Sequence, residues 1–288
     1  MIEMKNVSFG YGETALFNSL SCAFEDGKLT CVVGPNGSGK STCLKLCARL
    51  LRPEAGEITV DDRPASAYDA RAFARALAFL PQSRPLPAIT VRSLVSHGRF
   101  AYLGLSHRLR PADEEAVESA LRATGMLDCA ARELRTLSGG QRQKAYLAML
   151  IAQGAQNLLL DEPMTYLDVR HQLELLDLLH ALRDAGKCVV MVVHDLALAC
   201  EAGDRALLLH EGAPLYDGSA AGLLASGCVE TAFGVRPRPG GVRFERAYCV
   251  LPVDFYKMKD SLLRVFLRTL IFAGFDRGIF YRHEGFYP

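Results

Sequence analysis

Residues 34–41 constrain the fold of this chain more than any other segment, since they read Gly-Pro-Asn-Gly-Ser-Gly-Lys-Ser. An apolar run typical of a buried strand, Leu29–Val33, precedes them, and the apolar spacing of Lys40–Leu51 predicts a helix after them. In this context the glycines let backbone N–H groups point at phosphate oxygens, while the lysine adds positive charge and the serine can bind Mg²⁺. The pattern predicts a nucleotide-binding loop in an α/β fold.

Apolar runs elsewhere in the chain predict further strands. Asn157–Leu160 and Cys188–Val193 have the length of buried strands, and Arg170–Asp184 between them reads as a helix. This alternation favours a mainly parallel sheet covered on both faces. Residues 1–30 alternate in a strand-like way around turn signals. Three consecutive helices then indicate an α-helical insertion: Arg92–His97, Ala112–Thr124 and Gly139–Gln153.

Composition limits the classes of partner. The 288 residues carry a net charge of +1, which gives no overall attraction to nucleic acid or to an anionic membrane surface. Nine cysteines lack Cys-x-x-Cys spacing, so we expect buried thiols in a reducing compartment and no zinc site. The first residues show no signal peptide, and no apolar run approaches the roughly 20 residues of a membrane span. We expect a soluble protein that reaches a membrane only through a partner.

Two carboxylates follow the apolar strand Asn157–Leu160. In an enzyme with a phosphate loop, an acid at such a strand end can hold the metal, and we assign this task to Asp161. Glu162 would then lie beside the outer phosphate and act as general base on the attacking water. The alternative is a pair of surface carboxylates, which the phosphate loop upstream makes the less favoured interpretation.

The segment Ser138–Gln141 places a serine and two glycines just before a predicted helix. It is either a plain helix cap or a second phosphate-binding helix end with free N–H groups and a hydroxyl. A chain with one phosphate loop has no obvious use for a second such end on its own nucleotide. A head-to-tail pair of chains does, because each Ser138 segment would close over the ATP held by the other chain.

The chain resembles the ATP-binding cassette ATPases over roughly residues 1–235. The resemblance rests on the order and spacing of five segments: GPNGSGKST, LSGGQRQ, LLLDEP, TYLD and Val193-His194-Asp195. It implies a RecA-like phosphate-loop NTPase core at 1–87 and 154–235. This core would have a mainly parallel sheet, an antiparallel N-terminal β region and an inserted α-helical subdomain at 88–153.

The resemblance also implies roles at the nucleotide. Tyr11 would stack on the adenine ring, and Mg²⁺ would be held by Ser41, Gln82 and Asp161. The ATP-binding residues would be Tyr11, Gly34, Pro35, Asn36, Gly37, Ser38, Gly39, Lys40, Ser41 and Thr42. The signature that faces the opposite ATP would be Ser138, Gly139, Gly140 and Gln141.

Catalysis would fall to Glu162, Gln82 and His194 on the same resemblance. Gln82 would contact Mg²⁺ or the attacking water and sense the transport partner, and His194 would contact the γ-phosphate. Asp168 would lie at the interface of two chains and link their sites. One residue departs from the family pattern, since Met164 stands where threonine is usual. We expect it to alter local packing without loss of activity.

Within the family, the segments around Gln82 and Gly98-Arg99 resemble the importer ATPases for iron–siderophore, haem or cobalamin chelates. This implies a homodimer around two ATP that drives uptake of an iron chelate through a polytopic permease, with an extracytoplasmic binding protein acting indirectly. The subunit would be peripheral at the cytoplasmic face of the inner membrane and would bind no nucleic acid. Cobalamin, haem or a free metal ion are alternative cargoes, and a soluble non-transport ATPase is the alternative of a different class.

Residues 236–288 lie beyond the resemblance to the core and read as a linker and a tail. Lys257–Phe272 has apolar residues at helical spacing and arginines one turn apart, which predicts an amphipathic helix. A helix packed on its own domain, on a partner subunit or on a membrane surface are all compatible with this pattern.

Overall fold

The computed structural model describes residues 1–104, 108–165 and 167–234, together with the backbone of 243–245 and 248–250. Its strands are β1 Ile2–Tyr11, β2 Thr14–Phe24, β3 Leu29–Val33, β4 Ala55–Val60, β5 Arg63–Pro64, β6 Leu77–Leu80, β7 Asn157–Leu160, β8 Cys188–Val192, β9 Arg205–His210, β10 Ala213–Ser219, β11 Arg243–Glu245 and β12 Tyr248–Val250. Its helices are α1 Lys40–Cys47, α2 Ala70–Ala76, α3 Val91–His97, α4 Pro111–Ala123, α5 Gly139–Gln153, α6 Val169–Asp184, α7 Leu196–Ala202 and α8 Cys228–Phe233.

Six strands form the central sheet in the order β10-β9-β3-β8-β7-β6. All neighbours are parallel except β10, which turns back antiparallel on β9. Strands β3, β7 and β8 are buried along their whole length, as expected of parallel strands covered on both faces. The last residues of β6 and β7, Leu80 and Leu160, are paired, and Leu160 also pairs with Met191, the last residue but one of β8. The loops after β6, β7 and β8 therefore leave from one edge of the sheet.

A second, antiparallel sheet has the order β2-β1-β4-β5. Buried and accessible residues alternate along β1, so one face of this sheet is apolar. Together with α1 it packs on one face of the central sheet, in a cluster that includes Ile2, Phe17, Leu44 and Val190. This arrangement holds α1, the helix after the phosphate loop, between two apolar layers. The α/β fold class predicted from the sequence is confirmed.

The opposite face of the central sheet is covered by α3 to α7. Leu94, Val117 and Leu147 belong to one buried cluster that joins α3, α4 and α5 to this face. The hydroxyl of Thr90 accepts a hydrogen bond from the Ser93 amide at 3.2 Å and so caps α3. Along the chain these three helices lie between β6 and β7, where consecutive helices were expected.

Two elements differ from the sequence-based expectation. Helix α1 ends at Cys47 and does not reach residue 51, because Arg49 adopts a left-handed φ of 58° and the Leu50 amide donates back to the Lys45 carbonyl. Helix α2 was not expected, although Asp69 caps it by accepting from the Ala72 amide at 2.8 Å.

No helix in the described ranges is long and apolar enough to span a bilayer. Strands β11 and β12 pair with each other as an antiparallel hairpin. The amphipathic helix predicted at 257–272 lies outside the described residues.

Candidate functional site

Four loops meet at the carboxyl edge of the central sheet. Strand β3 leads into the phosphate loop at 34–41, and β6 leads into Gln82. Strand β7 leads into Asp161 and Glu162, and β8 into Val193 and His194. In open α/β sheets this edge is where ligands bind, because the loops that follow neighbouring strands converge there.

Two glycines of the phosphate loop occupy positions where no side chain fits. Gly34 has a φ of +150°, and a Cβ atom there would lie 2.2 Å from the carbonyl oxygen of Leu209. Gly39 has a φ of +99°, and its Cβ would lie 2.5 Å from the ring of Phe17. Both the backbone conformation and the close approach require glycine. The loop thus turns sharply out of β3 and into α1.

Lys40 lies inside this turn. Its Nζ donates hydrogen bonds to the carbonyl oxygens of Gly34 and Pro35, both at 2.8 Å, and the residue is only 6 % exposed. Burial lowers the pKa of Lys40, while the carboxylates of Glu162 and Asp161 act in the opposite direction. A bound anion would compensate the desolvated charge, so the loop is suited to phosphate.

Ser41 joins the phosphate loop to the end of β7. Its Oγ donates to Asp161 Oδ1 at 2.8 Å, and Asp161 is buried. Burial raises the pKa of Asp161, and the hydrogen bond from Ser41 opposes that effect. Ser38 Oγ, buried in the same loop, has no hydrogen-bond partner within the described part of the chain, so it can donate to a ligand oxygen.

This donor set fits Mg²⁺. A hydroxyl and a carboxylate in contact are hard oxygen ligands, and Mg²⁺ in nucleotide sites is usually held by one or two such groups plus phosphate oxygens and water. Among the described residues no group of three or more histidine, cysteine, aspartate or glutamate side chains could hold a metal alone. Mg²⁺ would therefore need oxygens from the nucleotide as well as those of Ser41 and Asp161.

Glu162 lies at the meeting point of three loops. Its Oε2 accepts hydrogen bonds from Gln82 Nε2 at 2.7 Å and from Thr165 Oγ1 at 3.1 Å. Its Oε1 lies 2.6 Å from Nε2 of His194. Glu162 also has a left-handed φ of 49°, a conformation that costs a non-glycine residue free energy and needs support from its surroundings. The structure thus brings together the three side chains predicted for catalysis.

Tyr11 lies at the end of β1, beside α1. Its hydroxyl is 3.2 Å from Thr42 Oγ1, and its ring meets that of Phe9 edge-on at 4.9 Å. Because Tyr11 is 52 % exposed, much of its ring is free to meet an aromatic base.

The Ser138 segment forms the N-terminus of α5 as a capping box. Ser138 Oγ accepts from the Gln141 amide at 3.2 Å, and Gln141 Oε1 accepts from the Ser138 amide at the same distance. No hydrogen bond in the described ranges joins residues 138–141 to the phosphate loop. Gly139 does line a cavity of about 180 Å³ together with Gln82 and Glu162.

Asp168 caps α6. Its Oδ1 accepts from the His171 amide at 2.9 Å and lies 2.7 Å from His171 Nδ1. The hydrogen bond from the amide, followed by that from the ring, lowers the pKa of Asp168. The His171 ring lies beside Gly140, where an added Cβ would be 3.5 Å away. This contact links the Asp168 turn to the signature helix within one chain.

Sequence reasoning missed three side chains around Glu162. Thr165 contacts its carboxylate directly, while Arg84 and Gln143 lie one step further away. Thr165 belongs to the segment TYLD and Gln143 to the segment LSGGQRQ, so their place in these segments could have indicated a role at the site. Arg84 lies in a proline-rich stretch, where nothing in the sequence indicates that an arginine is drawn inward.

Comparison of the sequence with known proteins identifies related chains. A family model described as "ABC transporter" matches residues 17–165. The petrobactin import ATP-binding protein FpuD of Bacillus anthracis is 42 % identical over 212 residues, which cover 73 % of this chain and 78 % of that protein.

Two solved structures share the fold. One is described as a metal-chelate type ABC transporter in an inward-facing conformation. It superposes with a TM-score of 0.71 at 30 % identity, over 82 % of this chain and 89 % of that chain. The other is a bacterial ABC transporter cassette solved as a dimer, with a TM-score of 0.68 at 26 % identity over 76 % of this chain and 99 % of that chain.

Proposed function

This chain belongs to the ABC transporter family and is an ATPase of that family, and on this basis we propose that it powers import of a siderophore-type iron chelate through a membrane permease. The observation that carries the ATPase part is the convergence of Gln82, Glu162 and His194 beside the phosphate loop. The cargo part is supported by FpuD, named for petrobactin import, and by the metal-chelate type of the structural neighbour.

The nucleotide would be held at its phosphates, at its adenine ring and through Mg²⁺. Residues 34–42 would surround the phosphates with backbone N–H groups, the Lys40 ammonium and the free Ser38 hydroxyl, and Tyr11 would stack on the adenine. Ser41 and Asp161 would hold Mg²⁺, with Gln82 contributing once nucleotide is present. The ion, when bound, would neutralise charge on the phosphates.

Hydrolysis would use the Glu162 carboxylate as general base. Gln82 and Thr165 bond its Oε2, which leaves Oε1 and His194 to face the attacking water and the γ-phosphate. Because Oε1 lies 2.6 Å from Nε2 of His194, the attacking water would have to lie beside this pair or between its two members.

The site would be completed by a second copy of the chain. The amide groups and hydroxyl at the N-terminus of α5 are not bonded to their own phosphate loop, and a head-to-tail partner would place them on the opposite ATP. Asp168, exposed at the start of α6, would lie at this interface. The dimeric cassette among the structural neighbours supports this arrangement.

Residues 88–153 would form the unit that moves against the core formed by 1–87 and 154–235. This would transmit ATP binding to a polytopic permease at the cytoplasmic face of the inner membrane, with the binding protein acting from the other side. The proposal is supported by the way α3, α4 and α5 pack together between β6 and β7.

The test is purification of the tagged chain from native membranes, identification of the membrane protein that accompanies it, and reconstitution of that complex in vesicles. We expect ATP hydrolysis and uptake to rise when the binding protein carries a ferric siderophore. Stimulation by haem, cobalamin or a free metal ion alone would contradict the cargo. Absence of any polytopic partner would contradict transport.

A further inference from the structure

Arg84 lies two residues after Gln82 and is drawn toward the protein interior. Its Nε donates to the Pro81 carbonyl at 2.8 Å, and its guanidinium lies 5.4 Å from the ring centroid of Tyr146. Burial lowers the pKa of Arg84 to about 10, so the side chain stays charged at neutral pH. No carboxylate in the described ranges forms an ion pair with it. A half-buried cation with no ion-pair partner is held by neutral hydrogen-bond acceptors, while the negative charge of Asp161 acts on it from a greater distance.

The acceptor for the rest of the guanidinium is Gln143. Arg84 Nη1 donates to Gln143 Oε1, and Gln143 Nε2 donates to the Pro163 carbonyl. Gln143 is buried on α5, two residues beyond the signature at Ser138–Gln141. Its amide group therefore links the loop after β6 to the loop after β7, with one hydrogen bond to each.

These contacts close a ring. Gln82 Nε2 donates to Glu162, the next residue Pro163 accepts from Gln143, Gln143 accepts from Arg84, and Arg84 donates to Pro81, the neighbour of Gln82. Each step of the ring is either a hydrogen bond or the backbone connection between consecutive residues. The ring passes through three segments: the loop after β6, the loop after β7 and helix α5.

We propose that Arg84 and Gln143 are positioning residues for Glu162. They hold the loop after β7, which carries Glu162, and the loop after β6, which carries Gln82, in fixed positions relative to helix α5. Glu162 has an unfavourable backbone φ, and the Gln143 bond fixes the carbonyl of the residue that follows it. Neither Arg84 nor Gln143 bonds to the phosphate loop or to Asp161. The pair thus acts on the geometry of hydrolysis and leaves nucleotide binding unchanged.

The proposal rests on the proposed role of Glu162 as general base, which Glu162→Gln tests separately. The experiment measures kcat and KM for ATP with the purified full-length chain and its variants Arg84→Met, Gln143→Met and the double variant. We expect each single variant to lower kcat by about tenfold with KM within twofold, because a displacement well below the roughly 1 Å that costs about 100-fold still slows the chemical step. The double variant should lose no more than either single one, since both break the same ring.

Arg99→Met is the matched control. Arg99 is also a half-buried arginine, but it bonds Asp113 at 3.0 Å and the Ala152 carbonyl at 2.9 Å, neither of which belongs to the ring. Its replacement should lower Tm and leave kcat unchanged. If a methionine variant fails to fold, Arg84→Lys and Gln143→Glu replace it in the experiment. Each of these variants keeps one hydrogen bond of the ring and loses another. Both should show a reduced kcat.

Three results would overturn the proposal while Glu162→Gln remains inactive. One is an unchanged kcat in Arg84→Met and Gln143→Met. Another is a fall in kcat that merely follows Tm and also appears in Arg99→Met. The third is losses that multiply in the double variant, as expected of two independent effects. If Glu162→Gln itself keeps its activity, the proposed base assignment fails first.

Discussion

Glu162 Oε1 lies 2.6 Å from His194 Nε2, a contact that joins the ends of β7 and β8. The two strands are adjacent and parallel, so their carboxyl ends present these side chains at the same height. The other carboxylate oxygen of Glu162 accepts a hydrogen bond from Gln82, which follows the end of β6. A carboxylate held from both sides is suited to act on a water at a fixed position.

Replacing Glu162 by glutamine should abolish hydrolysis and preserve ATP binding. The amide cannot take the proton of the attacking water, so we expect turnover to fall by about 100-fold or more. ATP should then trap a dimer that size-exclusion chromatography detects. Glu174→Gln, which changes a carboxylate paired with Lys144 and Arg170, should leave turnover unchanged. Near-normal turnover of Glu162→Gln would rule out the base assignment.

Asp161→Asn should stabilise the nucleotide-free chain at neutral pH. Burial raises the pKa of Asp161 in the folded chain above its value in the unfolded chain, so the ionised carboxylate costs stability once the pH has risen through these values. Removal of the charge should raise Tm by about 2 to 4 °C for each kcal/mol recovered. The same variant should lose the stabilisation that Mg²⁺ with ATP adds. Thermal melts at pH 7, with and without Mg²⁺ and ATP, measure both effects.

Asp69→Asn is the control for the direction of this change in Tm. The hydrogen bond from the Ala72 amide is the main cause that lowers the pKa of Asp69, so its ionised form stabilises the fold above the unfolded pKa. Its replacement should not raise Tm at pH 7. A lower Tm for Asp161→Asn in the absence of nucleotide would contradict the desolvation argument.

Ser138→Arg should block hydrolysis and spare ATP binding by the isolated chain. The bulky side chain would occupy the space in which the signature of one chain meets the ATP of the other, and we expect a loss of about 100-fold. The variant also removes a helix cap, which costs about 1 kcal/mol. Thr90→Ala removes a cap of the same kind at α3 and should keep full turnover. Unimpaired hydrolysis by Ser138→Arg would argue against the head-to-tail site.

Met164→Thr should change stability more than turnover. Met164 is buried and lines a cavity of about 160 Å³ beside His194, yet it forms no hydrogen bond to the predicted site residues. Loss of its apolar side chain should lower the free energy of unfolding by about 2 kcal/mol, with turnover within about twofold. Met126→Thr, at another buried position in the helical region, should behave alike. A many-fold rise in ATPase rate would show that Met164 limits catalysis.

Much of the site was predictable because each part is local. The phosphate loop can be identified from eight consecutive residues. The two carboxylates follow a strand that can be identified from its apolar run. The end of α1 was not predictable, since it depends on a left-handed Arg49 that no preference of arginine requires. Helix α2 has a cap signal at Asp69 but is only seven residues long, too short for a clear apolar period.

The sequence by itself determined the nucleotide chemistry, since glycines, a lysine and paired acids at fixed spacing leave few other uses. It also predicts that Ser138–Gln141 completes the site of a partner chain. Only the tertiary structure decided which side chains support Glu162. The closure of Gln82, Arg84 and Gln143 into one ring joins residues about 60 and 80 positions apart, and hydrogen bonds across such distances depend on how strands and helices pack. Local pattern identifies the reacting groups, and packing sets their positions.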